Sequence, residues 1–190
     1  FLGAFLFSLG LFCIVQFKYG LFTGKVGYIV NRDLPYVAET AVTLVGNALG
    51  TLIAALLLRQ VRFFTSTVST MDVTISDRVQ ATVSGKIHDN PLSIFILAVF
   101  CGILMFTAVE GSRKCKEEKN FAGSLFVVVM PVMVFIICGF NHCIADMFYY
   151  FFAGCPEPSK AIVYFILAIA GNSVGGMIVP LLKKLSNQPL

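Results

Sequence analysis

GNALGTLIAALLL, residues 46–58, returns as GNSVGGMIVPLLK at residues 171–183, with Gly-Asn, the second Gly, Ile and Leu-Leu matched in register. What surrounds the two copies decides what the repeat means. Hydrophobic residues make up 57% of the chain and charged residues 13%, a balance far from that of a soluble domain. A helix needs about 20 apolar residues to cross a bilayer core, and five runs qualify, approximately 1–22, 36–58, 91–110, 121–152 and 160–182. The copies lie three crossings apart, so they run in opposite directions. That is the signature of an inverted-topology repeat.

The expected architecture is therefore all-α and polytopic, a single transmembrane domain over 1–190. Residues 1–58 supply the last two helices of the first unit, 59–90 an external linker and 91–190 the three helices of the second. By that count the first unit is one helix short. With Phe rather than Met at position 1, a preceding span is expected outside this sequence, and no signal peptide is read from the first residues. The Ser- and Thr-rich linker has too few sustained apolar residues to cross, although part of it can lie on the surface as a short helix. Alternating sides place Lys25, Arg32, Arg113, Lys114, Lys116, Lys119, Lys183 and Lys184 together and Arg59, Arg62, Arg78, Lys86 and Lys160 opposite. The first group should be cytoplasmic.

Each unit also carries an interruption. In QFKYGLFTGKVGYIV (16–30), Gly20, Gly24 and Gly27 surround Thr23, and in GFNHCIADMFYYF (139–151), Gly139 precedes Asn141, His142 and Asp146. Closely spaced glycines favour a broken helix whose freed backbone groups can meet a solute. Both breaks precede their unit's Gly-Asn motif, by 23 residues from Thr23 to Gly46 and by 25 from Asp146 to Gly171. Equivalent breaks in both halves point to a central site lined by half-helix ends.

With these breaks in place, FSLGL (7–11), LFTG (21–24), KIH (86–88), CGIL (101–104), GFNHCIADMF (139–148) and the paired Gly-Asn motifs together resemble the formate/nitrite transporter family, over the last five of its six helices. The branch most similar is the hydrosulfide channel. The resemblance implies an aquaporin-like outline with one pore per protomer in a homopentamer of the inner (cytoplasmic) membrane. It places Thr23 and His142 face to face at the pore centre, Phe7 and Phe135 at an outer constriction, Leu11, Leu21 and Phe22 at an inner one, and Lys86 in the external vestibule. Two residues depart from formate channels, which typically carry Glu where this chain has Asn141 and Asn where it has Asp146. The expected solute remains a small monovalent anion or its conjugate weak acid: hydrosulfide, then formate or nitrite.

An intramembrane His is a pathway residue by default. His142 is expected either to share its proton with an entering anion or only to donate a hydrogen bond and steer; a packed core His is the bland reading. Thr23 offers a hydroxyl to a solute or caps a helix. Asn141 and Asp146 lie near one helical face, where satisfying freed backbone groups is the favoured role. Lys18 either snorkels or adds attraction at the inner mouth. Gly46/Gly50 and Gly171/Gly175 suit close helix packing. The six cysteines show no metal-ligand spacing, and most read as small apolar residues. No nucleotide-binding loop and no hydrolase constellation appears, so neither a cofactor nor a nucleic-acid partner is expected. A proton-coupled symporter using His142 and a pore for neutral solutes are the competing readings.

Overall fold

The first apolar run does not make one helix. In the computed structural model, which describes residues 1–68 and 73–187, α1 covers Leu2–Gln16 and Phe17 closes it. Lys18 then turns left-handed at φ 57°, a conformation that ends a right-handed helix in a non-glycine residue. After an extended Leu21 come α2 (Phe22–Lys25) and a 3₁₀ turn (Val26–Asn31). The run expected at 1–22 is thus two half-spans meeting at residues 17–21.

Asp33 caps α3 (Leu34–Arg59) through the Tyr36 N–H, with Pro35 in the first turn, a standard helix start. Beyond a 3₁₀ turn at Arg62–Thr65, two-residue strands β1 (Thr67–Val68) and β2 (Val73–Thr74) pair antiparallel. They are a small exception to the all-helical expectation. The linker then folds as α4 (Ile75–Ile87), opened by a capping box between Thr74 and Asp77. Val79, Val83 and Ile87, spaced by four, form its buried stripe, and α4 packs against the second unit.

The second unit contains α5 (Pro91–Glu117), α6 (Phe121–Ile137), α7 (Cys143–Phe152) and α8 (Pro158–Leu185). α5 extends seven residues beyond the expected end at Glu110. Arg113 bonds Glu110 and Glu117 at i−3 and i+4 and carries the helix into the charged run. Among the described residues, three helices, α3, α5 and α8, are long and apolar enough to cross a membrane uninterrupted. α1 with α2, and α6 with α7, make the two interrupted crossings.

Contacts between the halves follow the repeat. α1 packs on α6, α7 on α3, and the 3₁₀ turn Val26–Asn31 on α8. Within the second unit α5 lies close along α8. A Cβ on Gly175 would fall 2.8 Å from the carbonyl carbon of Val99 and 3.0 Å from the Ile103 nitrogen, so only glycine admits this approach. The two basic groups occupy separate ends. Lys184 and Lys116 reach the Val30 and Val15 carbonyls, whereas Arg59 reaches those of Phe151 and Phe152, and Lys160 meets His88. Val42, Leu49, Ile53 and Leu57 of α3 are exposed, as expected of a surface whose solvent is lipid.

Candidate functional site

A broken span frees backbone groups, and in each half the same residue type collects them. Asn47 accepts from the Phe22 N–H at 2.9 Å and donates to the Gly20 carbonyl at 2.9 Å. Asn172 accepts from the Cys143 N–H at 2.9 Å and donates to the Asn141 carbonyl at 2.8 Å and the Ala98 carbonyl at 2.8 Å. Each side chain therefore clips the residues flanking one position, Leu21 in the first break and His142 in the second. The carboxamide, with its acceptor and two donors, is the group that can do this.

Held this way, His142 is the N-cap of α7, its Nδ1 accepting from the Ala145 N–H at 3.1 Å. An Nδ1 that accepts leaves the neutral ring's proton on Nε2. That nitrogen lies 3.0 Å from Thr23 Oγ1, so Nε2–H donates to the hydroxyl oxygen and the hydroxyl proton is left for another partner. Thr23 and His142 are both buried. Phe135 stacks on the imidazole at 5.5 Å between centroids and meets Phe7 edge-on at 6.0 Å.

Three cavities follow one another past His142; Thr23, packed behind it, lines none of them. The outer one, about 460 Å³, is lined by Arg78, Lys86 and Asp146 and ends at Phe7, Phe135 and His142. Those last three also border a central apolar cavity of about 470 Å³ that reaches Leu11 and Leu21. Leu11 and Leu21 in turn border an inner cavity of about 510 Å³ holding Lys18, Lys25, Arg113 and Lys116. Phe7/Phe135 and Leu11/Leu21 thus stand at the two junctions. Phe22 does not: it is buried in the core and lines none of the three cavities. Its backbone N–H is clipped by Asn47.

Above His142, Lys86 Nζ donates to Asn141 Oδ1 at 2.8 Å and lies 3.2 Å from Asp146 Oδ1. Asn141 Nδ2 donates to the Ile94 carbonyl, and the Tyr164 hydroxyl donates to Asp146 Oδ2 at 2.6 Å. The favoured role of Asn141 and Asp146 is to satisfy backbone groups; Asn141 does bond a backbone carbonyl, that of Ile94, while side-chain oxygens of both residues also hold Lys86, and Asn172 bridges the break itself. Below the pair, Lys18 is exposed and faces the inner cavity.

The sequence model for formate/nitrite transporters matches residues 1–184. The chain belongs to the formate/nitrite transporter family. Relatives within the family include the formate channel FocA of Haemophilus influenzae (strain ATCC 51907 / DSM 11121 / KW20 / Rd), 28% identical over 77% of this chain and 51% of that protein. The uncharacterized transporter YrhG of Bacillus subtilis (strain 168) is 28% identical over 93% of this chain and 67% of its own length. FocA of Escherichia coli (strain K12) is 26% identical over 77% of this chain and 51% of that protein. The chain spans about half the length of the FocA relatives. A solved pentameric formate channel with formate bound superposes with TM-score 0.74 at 24% identity, covering 98% of this chain and 82% of that one. An FNT family ion channel gives 0.73 at 15% identity, covering 90% and 70%. The fold is that of the family, an inverted repeat with two broken helices.

Three residues escape a reading of the sequence: Asn47, Asn172 and Tyr164. For the two Asn a signal is present, since an amide repeated in register within apolar spans needs a buried partner. Tyr164 lies in an ordinary apolar stretch, VYFIL, and nothing local marks it.

Proposed function

We propose that this chain forms a passive channel for small monovalent anions of weak acids, with hydrosulfide first and formate and nitrite behind it. It would work as a homopentamer in the inner (cytoplasmic) membrane, the Lys18 end facing the cytoplasm. The observation that carries this reading is His142, which lines both the outer and the central cavity and is bonded to the buried Thr23 hydroxyl behind it at 3.0 Å, with basic residues lining the cavity at each end. An anion attracted by Lys86 or by Lys18 and Lys116 must cross an apolar stretch, and we take the Thr23 hydroxyl proton, polarised by His142, as the donor offered to it beside that residue. A charge-assisted hydrogen bond of this kind offsets part of the desolvation cost. Membership of the family, the formate-channel relatives and the pentameric solved structure support the solute class and the assembly. Asn141 and Asp146, where formate channels typically carry Glu and Asn, support ranking hydrosulfide ahead of formate.

The geometry favours steering over proton transfer. A second proton on His142 would go to Nδ1, which faces the Ala145 N–H at 3.1 Å; two N–H groups would then oppose each other and the cap would be lost. His142 therefore acts as a neutral donor, which argues against the symporter. The test is flux of hydrosulfide, formate, nitrite and chloride into proteoliposomes at several pH values, for wild type and His142→Asn. Selective, voltage-dependent flux without a proton gradient, lost in the variant, is expected. Equal rates for all four anions in both proteins would sink the reading.

A further inference from the structure

Beside Lys86 in the outer cavity stands a buried carboxylate. Asp146 Oδ1 lies 3.2 Å from Lys86 Nζ, and Oδ2 accepts the Tyr164 hydroxyl at 2.6 Å. Asp146 is one turn beyond His142, its N–H donating to the His142 carbonyl at 2.9 Å, so carboxylate, ammonium and imidazole crowd the same junction. Among the described residues, the other charged or titratable groups near Asp146 are Lys86 and Arg78 of α4, Cys101 of α5, His142 at the N-cap of α7, Cys143 and Tyr149 of α7, and Tyr164 of α8. Asp146 is the carboxylate among them. Tyr164 is 1% exposed and its ring packs edge-on against Phe165 at 5.3 Å, so its hydroxyl is held in place against the carboxylate.

An ammonium beside a carboxylate shows an approaching anion a dipole; an ammonium beside a neutral carboxylic acid shows it a full positive charge. Resting on the channel reading, we propose that Asp146 sets the charge of the outer cavity and hence the rate of anion entry. Tyr164 is the positioning residue that holds the carboxylate against Lys86. A proton from external water, taken up by Asp146, makes the pair net positive and speeds entry. Tyr164 keeps the carboxylate from swinging into the anion's path beside His142.

The experiment is formate flux into proteoliposomes across external pH of about 4 to 8, from the ordinary Asp range to above neutrality, for wild type, Asp146→Asn, Tyr164→Phe and the double variant. Each rate is divided by the wild-type rate at the same pH, so the solute's own titration cancels. Asp146→Asn should exceed wild type by about three- to tenfold at the alkaline end, the effect of one unit charge at several ångströms, and converge on it as pH falls. Tyr164→Phe should slow flux about twofold or more in wild type and leave the Asp146→Asn background unchanged, since a double-mutant cycle isolates their coupling. A ratio for Asp146→Asn that is flat with pH overturns the proposal, as does a Tyr164→Phe effect of equal size in both backgrounds, which is what plain packing predicts. If Asp146→Asn fails to fold, Asp146→Glu must keep the wild-type pH response, and its loss there overturns the proposal equally. Wild type that conducts and fails in His142→Asn leaves the channel reading standing whatever these variants do. Absence of flux in wild type overturns both.

Discussion

Asn47 and Asn172 make the same bridge in the two halves of the molecule, each from a carbonyl to the N–H two residues on. The one on α8 is fully buried and also binds the Ala98 carbonyl at 2.8 Å. Asn172→Ala would leave these buried groups without partners, at about 1–3 kcal/mol each. It should therefore lower the thermal unfolding midpoint in detergent well beyond Asn47→Ala, whose site is half-buried. Asn172→Asp keeps the acceptor for the Cys143 N–H but sets a carboxylate oxygen against the Asn141 and Ala98 carbonyls in a buried site, and should cost at least as much as Ala. Equal midpoints for the two Ala variants would show that the bridges are ornamental.

Thr23 is buried and its Oγ1 faces His142 Nε2. Thr23→Val keeps the shape and removes the hydroxyl, so anion flux should fall about tenfold, the worth of one hydrogen bond to a charged group, with little change in unfolding midpoint. Thr23→Ser should restore most of it. Parallel losses in Val and Ser would move the cause from the hydroxyl to packing by the methyl group.

Phe135 is 4% exposed, stacked on His142 and in edge contact with Phe7. Phe135→Ala would join the outer and central cavities and free the imidazole. Flux of a small uncharged solute such as urea should rise while the ratio of anion to urea flux falls. Stability should drop by about 3–5 kcal/mol, as for other buried Phe truncations. An unchanged urea rate would mean that the junction is not the narrowest point.

The sequence shows where the chain is broken more readily than how the breaks are held. Glycines around Thr23 and polar residues around His142 stand out against apolar spans, because a bilayer core offers polar groups no water to bond. The partners are harder to read because they come from distant positions: Asn47 and Asn172 lie 25 and 29 residues beyond the N–H groups they bind, and Tyr164 lies 18 beyond Asp146. In the second copy of the repeat the glycines announce the close α5–α8 contact, whereas the bonds of its Asn become visible only once the breaks are folded. Lys86 is marked by resemblance alone. Its delivery depends on α4, whose Val79, Val83 and Ile87 stripe is spaced for a helix inside a linker otherwise rich in Ser and Thr.

Gly175 and Val99 mark where α8 approaches α5 most closely, with less than 3 Å between an added Cβ and the Val99 carbonyl carbon. Gly175→Ala would force the helices apart. Since Asn172 is one turn away and bonds Ala98 on the same α5 face, separation should also loosen the second break. Expected are a loss of about 1–3 kcal/mol, typical of overpacking, and reduced flux together. A normal unfolding midpoint would show that the helices part without cost.

At the inner end, Glu110 joins the region after the first break to α5. Its carboxylate accepts from Tyr28 at 2.8 Å and from Arg113 Nε and Nη2 at 2.9 and 2.8 Å. Glu110 is buried whereas the Arg113 side chain is 42% exposed, so removing either partner has unequal effects. Arg113→Ala leaves the buried Glu110 carboxylate with the Tyr28 hydroxyl and the more distant Lys114 ammonium at 3.9 Å, and should destabilise by about 1–3 kcal/mol, trimmed from the fully buried case by Lys114 and by solvent around the guanidinium. Glu110→Gln keeps an acceptor for Tyr28 and returns Arg113 to water and Glu117, costing about 1 kcal/mol. Combining the two should recover part of the Arg113→Ala loss, because the buried charge left with a weaker partner is gone. Strict additivity in thermal unfolding would show that the pair does not act as a unit.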